Sequence, residues 1–168
     1  AVIGGGQSGA EIVDALLERD GVSAVHWISR RPNFEPLDAT PFTNELFTPS
    51  YMERFHGLPE ELRLIHTRRQ VLASDGVSAS TLKKLYRRLY ERQFEAGEGV
   101  DHGVSLRPFR DVIAAEQEGS EITLTMRNGF DESIETVTVD KVVFATGYRF
   151  VLPEFLQSLE SRIAFNSL

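Results

Sequence analysis

The residues whose types and spacing suggest chemistry begin at the fourth position. Gly4, Gly6 and Gly9 stand as G-x-G-x-x-G, with Gln7 and Ser8 between the last two. Behind a strand and ahead of a helix, this spacing is the dinucleotide fingerprint. Gly4 turns the chain sharply, Gly6 lets backbone approach a pyrophosphate, and Gly9 lets the helix lie close on the strand. The phosphates would rest on unpaired N–H groups at the helix N-terminus, where the helix dipole favours negative charge. Ser8 would either cap that helix or touch phosphate. Further on, a second strand ends in Ser29-Arg30-Arg31 with no acid beside it. An acid at that place bonds the ribose 2′-hydroxyl of NAD, whereas an arginine accommodates the 2′-phosphate of NADP. Guanidinium groups bind such a phosphate through paired, charge-assisted hydrogen bonds. The turn and Ser29-Arg30-Arg31 therefore predict NADPH over NADH, with two solvated loop arginines as the alternative.

Composition removes other chemistries. Cysteine is absent from the 168 residues, which excludes disulfides, thiolate metal sites and any cysteine-based redox step. His26, His56, His66 and His102 are scattered without metal-ligand spacing, so they read as structural or surface residues and no metal is expected. A net charge of −7 argues against a general nucleic-acid binder. No apolar run approaches the roughly 20 residues that cross a bilayer, and no signal-peptide pattern precedes the first strand. The expectation is a soluble cytoplasmic protein with no nucleic-acid or membrane partner.

The elements that must position these residues follow from periodicity. Ala1–Ile3 reads as a strand, and Ile12, Val13, Leu16 and Leu17 recur at helical spacing from Ser8 to about Arg19. Asp20-Gly21 ends that helix and Ala24–Ser29 supplies the second strand. Residues 31–58 are irregular and rich in Pro and Phe, with short helices expected at Pro49–Phe55 and from Pro59. After Ser74-Asp75-Gly76 comes a long helix with an apolar stripe of Leu82, Leu85, Tyr86, Leu89, Tyr90 and Phe94. Lys83, Lys84, Arg87, Arg88 and Arg92 oppose it as a solvated basic face. Strands are then predicted at Val104–Leu106, Asp111–Ala115, Glu121–Met126 and Ile134–Val139, with a hairpin signal at Arg127-Asn128-Gly129. Lys141–Ala145 is a continuous apolar run, as in a parallel strand buried on both faces. The fold class is α/β, a Rossmann-like three-layer nucleotide-binding domain with a parallel sheet and an antiparallel β-meander crossover.

Six stretches, in order along nearly the whole chain, resemble the flavin-dependent N-hydroxylating monooxygenases, and most closely the siderophore-pathway lysine N6-monooxygenases. They are "GGGQSGAE" at Gly4–Glu11, "WISRRPNF" at Trp27–Phe34, "FTNELFTPSY" at Phe42–Tyr51, "SDGVS" at Ser74–Ser78, "LYRRLY" at Leu85–Tyr90 and "DKVVFATGYR" at Asp140–Arg149. In that family an NADPH domain interrupts a larger FAD domain. The resemblance implies that residues 1–148 are the inserted NADPH domain and that 149–168 return towards an FAD domain, which carries its own glycine fingerprint. It also implies the chemistry of the complete enzyme: hydride transfer from NADPH to FAD, activation of dioxygen on the reduced flavin, and oxygen transfer to the side-chain amine of L-lysine or a related diamine. Gly4, Gly6, Gln7, Ser8 and Gly9 match the family's pyrophosphate turn. Arg30 matches its arginine for the adenosine phosphate, with Ser29 and Arg31 beside it. Asn44 matches an asparagine near the amine and the nicotinamide, with an Asx-turn as the structural alternative. Asp75, which the resemblance likewise implies in the vicinity of the substrate or the nicotinamide, falls where the ornithine-specific branch has asparagine, which favours lysine. No residue in the chain is expected to be catalytic in the acid–base sense, and the isolated chain is expected to be inactive for want of an electron acceptor. The resemblance allows self-association of the full-length protein.

Other readings stay open at this stage. Baeyer–Villiger and dimethylaniline-type flavin monooxygenases share the glycine turn and the A-T-G-Y ending, although the stretches around Asn44 and Asp75 fit them poorly. Thioredoxin-reductase-type domains fail for lack of a Cys-x-x-Cys. A non-catalytic dinucleotide-binding module is the remaining alternative, because function lies in sites rather than folds.

Overall fold

The computed structural model describes residues 1–97, 102–148 and 151–162. A short strand β1 (Val2–Ile3) leads through the glycine turn into α1 (Gln7–Leu17), and β2 (Val25–Ile28) follows. The excursion after β2 is helical: α2 (Pro41–Asn44), a 3-10 turn at Glu45–Phe47, α3 (Pro49–His56) and α4 (Glu60–Arg69). Hydroxyl side chains start two of these helices, Thr40 accepting from the Thr43 N–H and Thr48 from the Tyr51 N–H. The long helix α5 (Ala79–Ala96) is capped in the same way by Ser78. Then come β3 (Val104–Arg107), the meander β4 (Arg110–Glu118), β5 (Glu121–Asn128) and β6 (Ile134–Val139), and the return strand β7 (Val143–Phe144).

Two sheets result. One is parallel, in the order β3-β2-β1-β7, and the other is the antiparallel meander β4-β5-β6. Strand alternation separates the layers. Val2, Val25 and Trp27 face a core shared with Ala10, Val13 and Leu17 of α1 and Leu85 of α5. The intervening residues Ile3 and Ile28 face the other way, onto Leu124 and Met126 of the meander. The chain is thus three layers deep, with helices on one face of the parallel sheet and the meander on the other.

Four details depart from the sequence reading. The run 141–145 pairs in parallel with β1, but only two residues form strand, and Val143 and Phe144 are 37% and 66% exposed. It lies at the sheet edge, with no described helix across it, rather than buried on both faces. On α5 the apolar stripe splits. Leu82, Leu85 and Leu89 pack inward, whereas Tyr86, Tyr90 and Phe94 are exposed, because α1 is too narrow to cover the whole stripe.

The basic side of α5 is likewise only partly solvated. Lys84 and Arg88 bind the Asp14 carboxylate at 2.6 and 2.8 Å, and Arg92 donates to the carbonyl of Leu17, the last residue of α1, at 2.6 Å. Those cations close the carboxyl end of α1, where its dipole favours positive charge and its carbonyls lack helical partners. Lastly, the signal at Arg127-Asn128-Gly129 marks a longer hairpin loop, with Asn128 still in β5. Its side chain accepts from the Phe130 N–H at 3.0 Å to organise the loop. Of the expected return segment 149–168, only residues 151–162 are described, with a 3-10 helix at Glu154–Arg162.

Candidate dinucleotide site

The glycine turn sits where β1 ends, between β2 on one side and β7 on the other. In open α/β sheets, ligands bind beyond the carboxyl ends of strands at such a switch point. Protein contacts build the turn tightly. Gly4 has φ +134, and a Cβ on it would stand 2.1 Å from the Ala145 carbonyl oxygen. A Cβ on Gly9 would meet the Gly4 carbonyl oxygen at 2.1 Å, and one on Gly5 would meet Ser29 Oγ at 2.3 Å. Trp27, buried in the core, donates its indole N–H to the Gly4 carbonyl at 2.8 Å and stacks on Phe34 with ring centroids 3.7 Å apart. A buried tryptophan needs such a partner, so this clamp was open to inference from sequence once the turn was recognised.

Gly6 differs from its neighbours. Its backbone, at φ −95, is ordinary, and the nearest atom to a Cβ there is Asp75 Oδ1 at 3.9 Å. No described protein contact requires glycine at this position; its openness leaves room for another molecule against the backbone. Gly6 is also the N-cap of α1, which has no side-chain cap and no acid in its first turn. The N–H groups that begin a helix lack intrahelical partners. Ser8 is exposed in the first turn and does not cap, so of the two roles expected for it the first is set aside: the capping position falls on Gly6.

Gln7 ties the turn to α5. Its Oε1 accepts from the Ser78 N–H at 2.7 Å, and its Nε2 donates to Glu11 and Thr81 at 2.7 and 3.3 Å. The side chain is therefore spent within the protein, and Gln7 offers a ligand its backbone. Ser29 is 3% exposed beneath Gly5, its Oγ accepting from the Arg31 N–H at 3.2 Å. It shapes the turn rather than lining an open surface.

The arginines that follow are fixed in backbone and unequal in side chain. The Ser29 N–H reaches the Arg107 carbonyl at 3.0 Å, and the Arg31 carbonyl accepts from the Phe109 N–H at 2.7 Å, so the β3–β4 turn holds the strand end in place. Arg30 is exposed, with no described ion pair. Arg31 is turned towards Asp75, donating Nη1 to its backbone carbonyl at 2.6 Å and pairing Nη2 with its carboxylate. Direct contacts therefore join Gly4 to Gly9, Ser29 to Arg31 and Arg31 to Asp75, while Gly6, Gln7 and Ser8 share the turn by their place in the chain. Asn44 joins none of them by a hydrogen bond. It is exposed at the end of α2 and its side chain makes no capping bond, which sets aside the Asx-turn alternative.

A separate concavity of about 560 Å³ lies at the opposite ends of the strands, lined by Ser23, Ala24, Arg92, Glu95, His102 and Gly103 among others. It carries none of the residues singled out by the motif. Among the described residues no three His, Asp or Glu side chains gather as metal ligands, and no helix is long and apolar enough to cross a membrane.

A parallel sheet with a glycine turn at the end of its inner strand, helices on one face and an antiparallel meander on the other, defines a Rossmann-like α/β protein. The sequence profile of the L-lysine 6-monooxygenase/L-ornithine 5-monooxygenase family matches residues 1–150, and the chain belongs to that family. It is 42% identical over 160 residues to the L-lysine N6-monooxygenase of Escherichia coli, an alignment covering 94% of this chain and 37% of that protein. Against the putrescine N-hydroxylase of Shewanella oneidensis the identity is 30%, over 98% of this chain and 33% of the relative. Among solved structures, the FAD-bound cadaverine monooxygenase of the desferrioxamine pathway from Erwinia amylovora superposes with a TM-score of 0.85 at 29% identity. That match covers 98% of this chain and 38% of the other. The chain thus spans a little over a third of the length of these relatives.

Proposed function

We propose that this chain is the NADPH-binding part of an FAD-dependent monooxygenase that N-hydroxylates the side-chain amine of L-lysine, or of a related diamine, in siderophore biosynthesis. Residues 1–148 form that part and 149–168 lead back towards the FAD-binding part. The observation that carries the reading is the pairing of an open Gly6 at an uncapped helix start with an exposed Arg30 that has no ion pair among the described residues. One position has room for a pyrophosphate against backbone N–H groups, and the other is an exposed cation for a 2′-phosphate. Support comes from the relatives, whose names cite lysine, putrescine and cadaverine as substrates, and from a Kutzneria ornithine N-hydroxylase structure described with reduced FAD, NADP+ and L-ornithine.

In the complete enzyme NADPH supplies the hydride and FAD the oxygen chemistry, with dioxygen and the amine as co-substrates. The residues of this chain bind and orient. Gly6, Ser8 and the first N–H groups of α1 hold the pyrophosphate, Trp27 keeps the turn in shape by fixing the Gly4 carbonyl, and Arg30 takes the 2′-phosphate. The exposed carboxamide of Asn44 has both a donor and an acceptor for the nicotinamide or the amine. A primary amine attacks an electrophile only when unprotonated, so the complete site must favour the neutral form of a group whose ordinary pKa is about 10.4.

Calorimetric titration with NADP+ and NAD+, alongside Arg30→Ala, tests the reading. NADP+ is expected to bind about tenfold or more tightly than NAD+, about 1.4 kcal/mol, and the variant to lose the difference. Equal binding of both nucleotides by the natural protein would overturn it. In the natural gene product, hydroxylamine formation is expected to be fastest with L-lysine among L-lysine, cadaverine, putrescine and L-ornithine; a faster diamine would move the substrate assignment to the diamine branch.

A further inference from the structure

The pairing of Arg31 with Asp75 bears on how strongly the site reads the phosphate. Both terminal nitrogens of Arg31 are committed to Asp75, Nη1 to the backbone carbonyl and Nη2 to the carboxylate. The Arg31 side chain is 22% exposed, so little of it is left for another anion, whereas Arg30 beside it is exposed and free of described partners. Asp75 is itself held in place. Its N–H donates to the Val71 carbonyl at 2.9 Å, and the next residue, Gly76, lies so close to Pro36 and Leu37 that a Cβ there would be 2.5 Å from the Leu37 nitrogen. Adjacent Val77 forms a parallel bridge with Pro36. From this anchored segment the second carboxylate oxygen of Asp75 is the atom nearest the open side of Gly6, at 3.9 Å from the place of a Cβ.

A fixed carboxylate beside a phosphate-binding turn opposes an anionic ligand, and it competes for the neighbouring guanidinium. The opposition is partial, because the Asp75 side chain is 59% exposed and solvent-exposed ion pairs are weak. A phosphate dianion in reach of two arginines would be held more tightly than one in reach of a single arginine. We propose that Asp75 is a specificity-determining residue of the dinucleotide site: by holding Arg31 it leaves Arg30 to read the 2′-phosphate, and so sets how strongly NADP+ is preferred over NAD+. The inference rests on the NADPH-binding reading above. It assigns Asp75 to the 2′-phosphate end of the cofactor, where the family resemblance had put it in the vicinity of the substrate or the nicotinamide.

The test is a comparison of NADP+ and NAD+ affinities in the natural gene product, for the wild type, Asp75→Asn, Asp75→Ser, Arg30→Ala and the double variant Arg31→Ala/Asp75→Asn. Asp75→Asn retains the backbone carbonyl contact to Arg31, and thermal melting checks that each variant folds. Both Asp75 variants are expected to raise the ratio of NADP+ to NAD+ affinity by about threefold or more, and the gain is expected to vanish in the double variant. A ratio unchanged or lowered in both single variants overturns the inference, as does a gain that survives removal of Arg31. These results are separable from failure of the underlying reading. A wild type with no preference for NADP+ sinks both, whereas a preference that Arg30→Ala abolishes and Asp75 leaves untouched sinks the inference alone.

Discussion

A methyl group added at Gly4 would press on the Ala145 carbonyl in a left-handed backbone conformation, while one added at Gly6 would reach nothing closer than 3.9 Å. The two glycines of one motif therefore differ: the fold requires the first and leaves the second open. Gly4→Ala is expected to lower stability by about 2–4 kcal/mol, since strain and a backbone clash add. Gly6→Ala is expected to change stability by no more than about 1 kcal/mol, the cost of alanine at an N-cap, while weakening NADP+ binding about tenfold or more. Chemical denaturation of both variants beside nucleotide titration reads the contrast. A Gly6→Ala protein that bound NADP+ as the wild type does would remove the pyrophosphate from this turn.

At the scale of elements, a single acid gathers the ends of four strands. Glu135 of β6 accepts from Arg110 of β4 at 2.7 and 3.3 Å and from Asn128 of β5 at 3.2 Å, and it pairs with Arg107 of β3 at 3.5 Å. The meander is thereby tied to the parallel sheet beside the residues that hold the arginine-bearing loop. The hydrogen bond from Arg110 holds the Glu135 carboxyl below its ordinary value of 4.5, with Arg110 and Arg107 charges and Asn128 adding to the effect against desolvation. A carboxylate depressed in the folded state stabilises fully above the ordinary carboxylate range, and that contribution is lost as pH falls through the lower folded value. Melting temperature should therefore drop on acidification below about pH 4.5, and drop less steeply in Glu135→Gln, whose pH 7 stability is already reduced. Asp38 and Asp131, also depressed by hydrogen bonds from Thr43 and Ser133, keep some acid sensitivity in the variant. Identical acid profiles for the two proteins would show that the Glu135 cluster contributes nothing.

For the whole molecule, burial is concentrated in the layers and sparse in the excursion. Val2, Ala10, Val13, Ile28 and Leu124 are fully buried, whereas α2, α3 and α4 together contain a single buried residue, Thr43. Segments with few buried apolar contacts open with less free energy than the core. Hydrogen exchange should show β1, β2, α1 and β5 protected close to the global limit and α3 and α4 exchanging well before them. Equal protection throughout would mean that the excursion folds as one unit with the core. The exposed side chains of Phe42, Phe144, Tyr148 and Phe155 fit the same description, since each lies in the excursion or beyond the meander, outside the two apolar clusters.

Local pattern carried much of this protein. Periodicity of 3.6 and 2 residues located α1, α5 and the meander strands, because amphipathic faces are written into neighbouring positions. The six stretches of resemblance, from the glycine turn to the A-T-G-Y ending, placed the chain in its family. Tertiary structure alone decided which surface each face would meet. It split the α5 stripe into packed leucines and exposed aromatics, turned three of the five residues of a basic face into a clamp on α1, and put an apolar run at a sheet edge. It also distinguished Arg30 from Arg31, adjacent residues of the same type, by leaving one exposed and giving the other to an aspartate 44 positions away. The reason is common to all of these: spacing along a chain fixes the direction of a side chain relative to its own element, and only the packing of distant elements fixes what stands opposite.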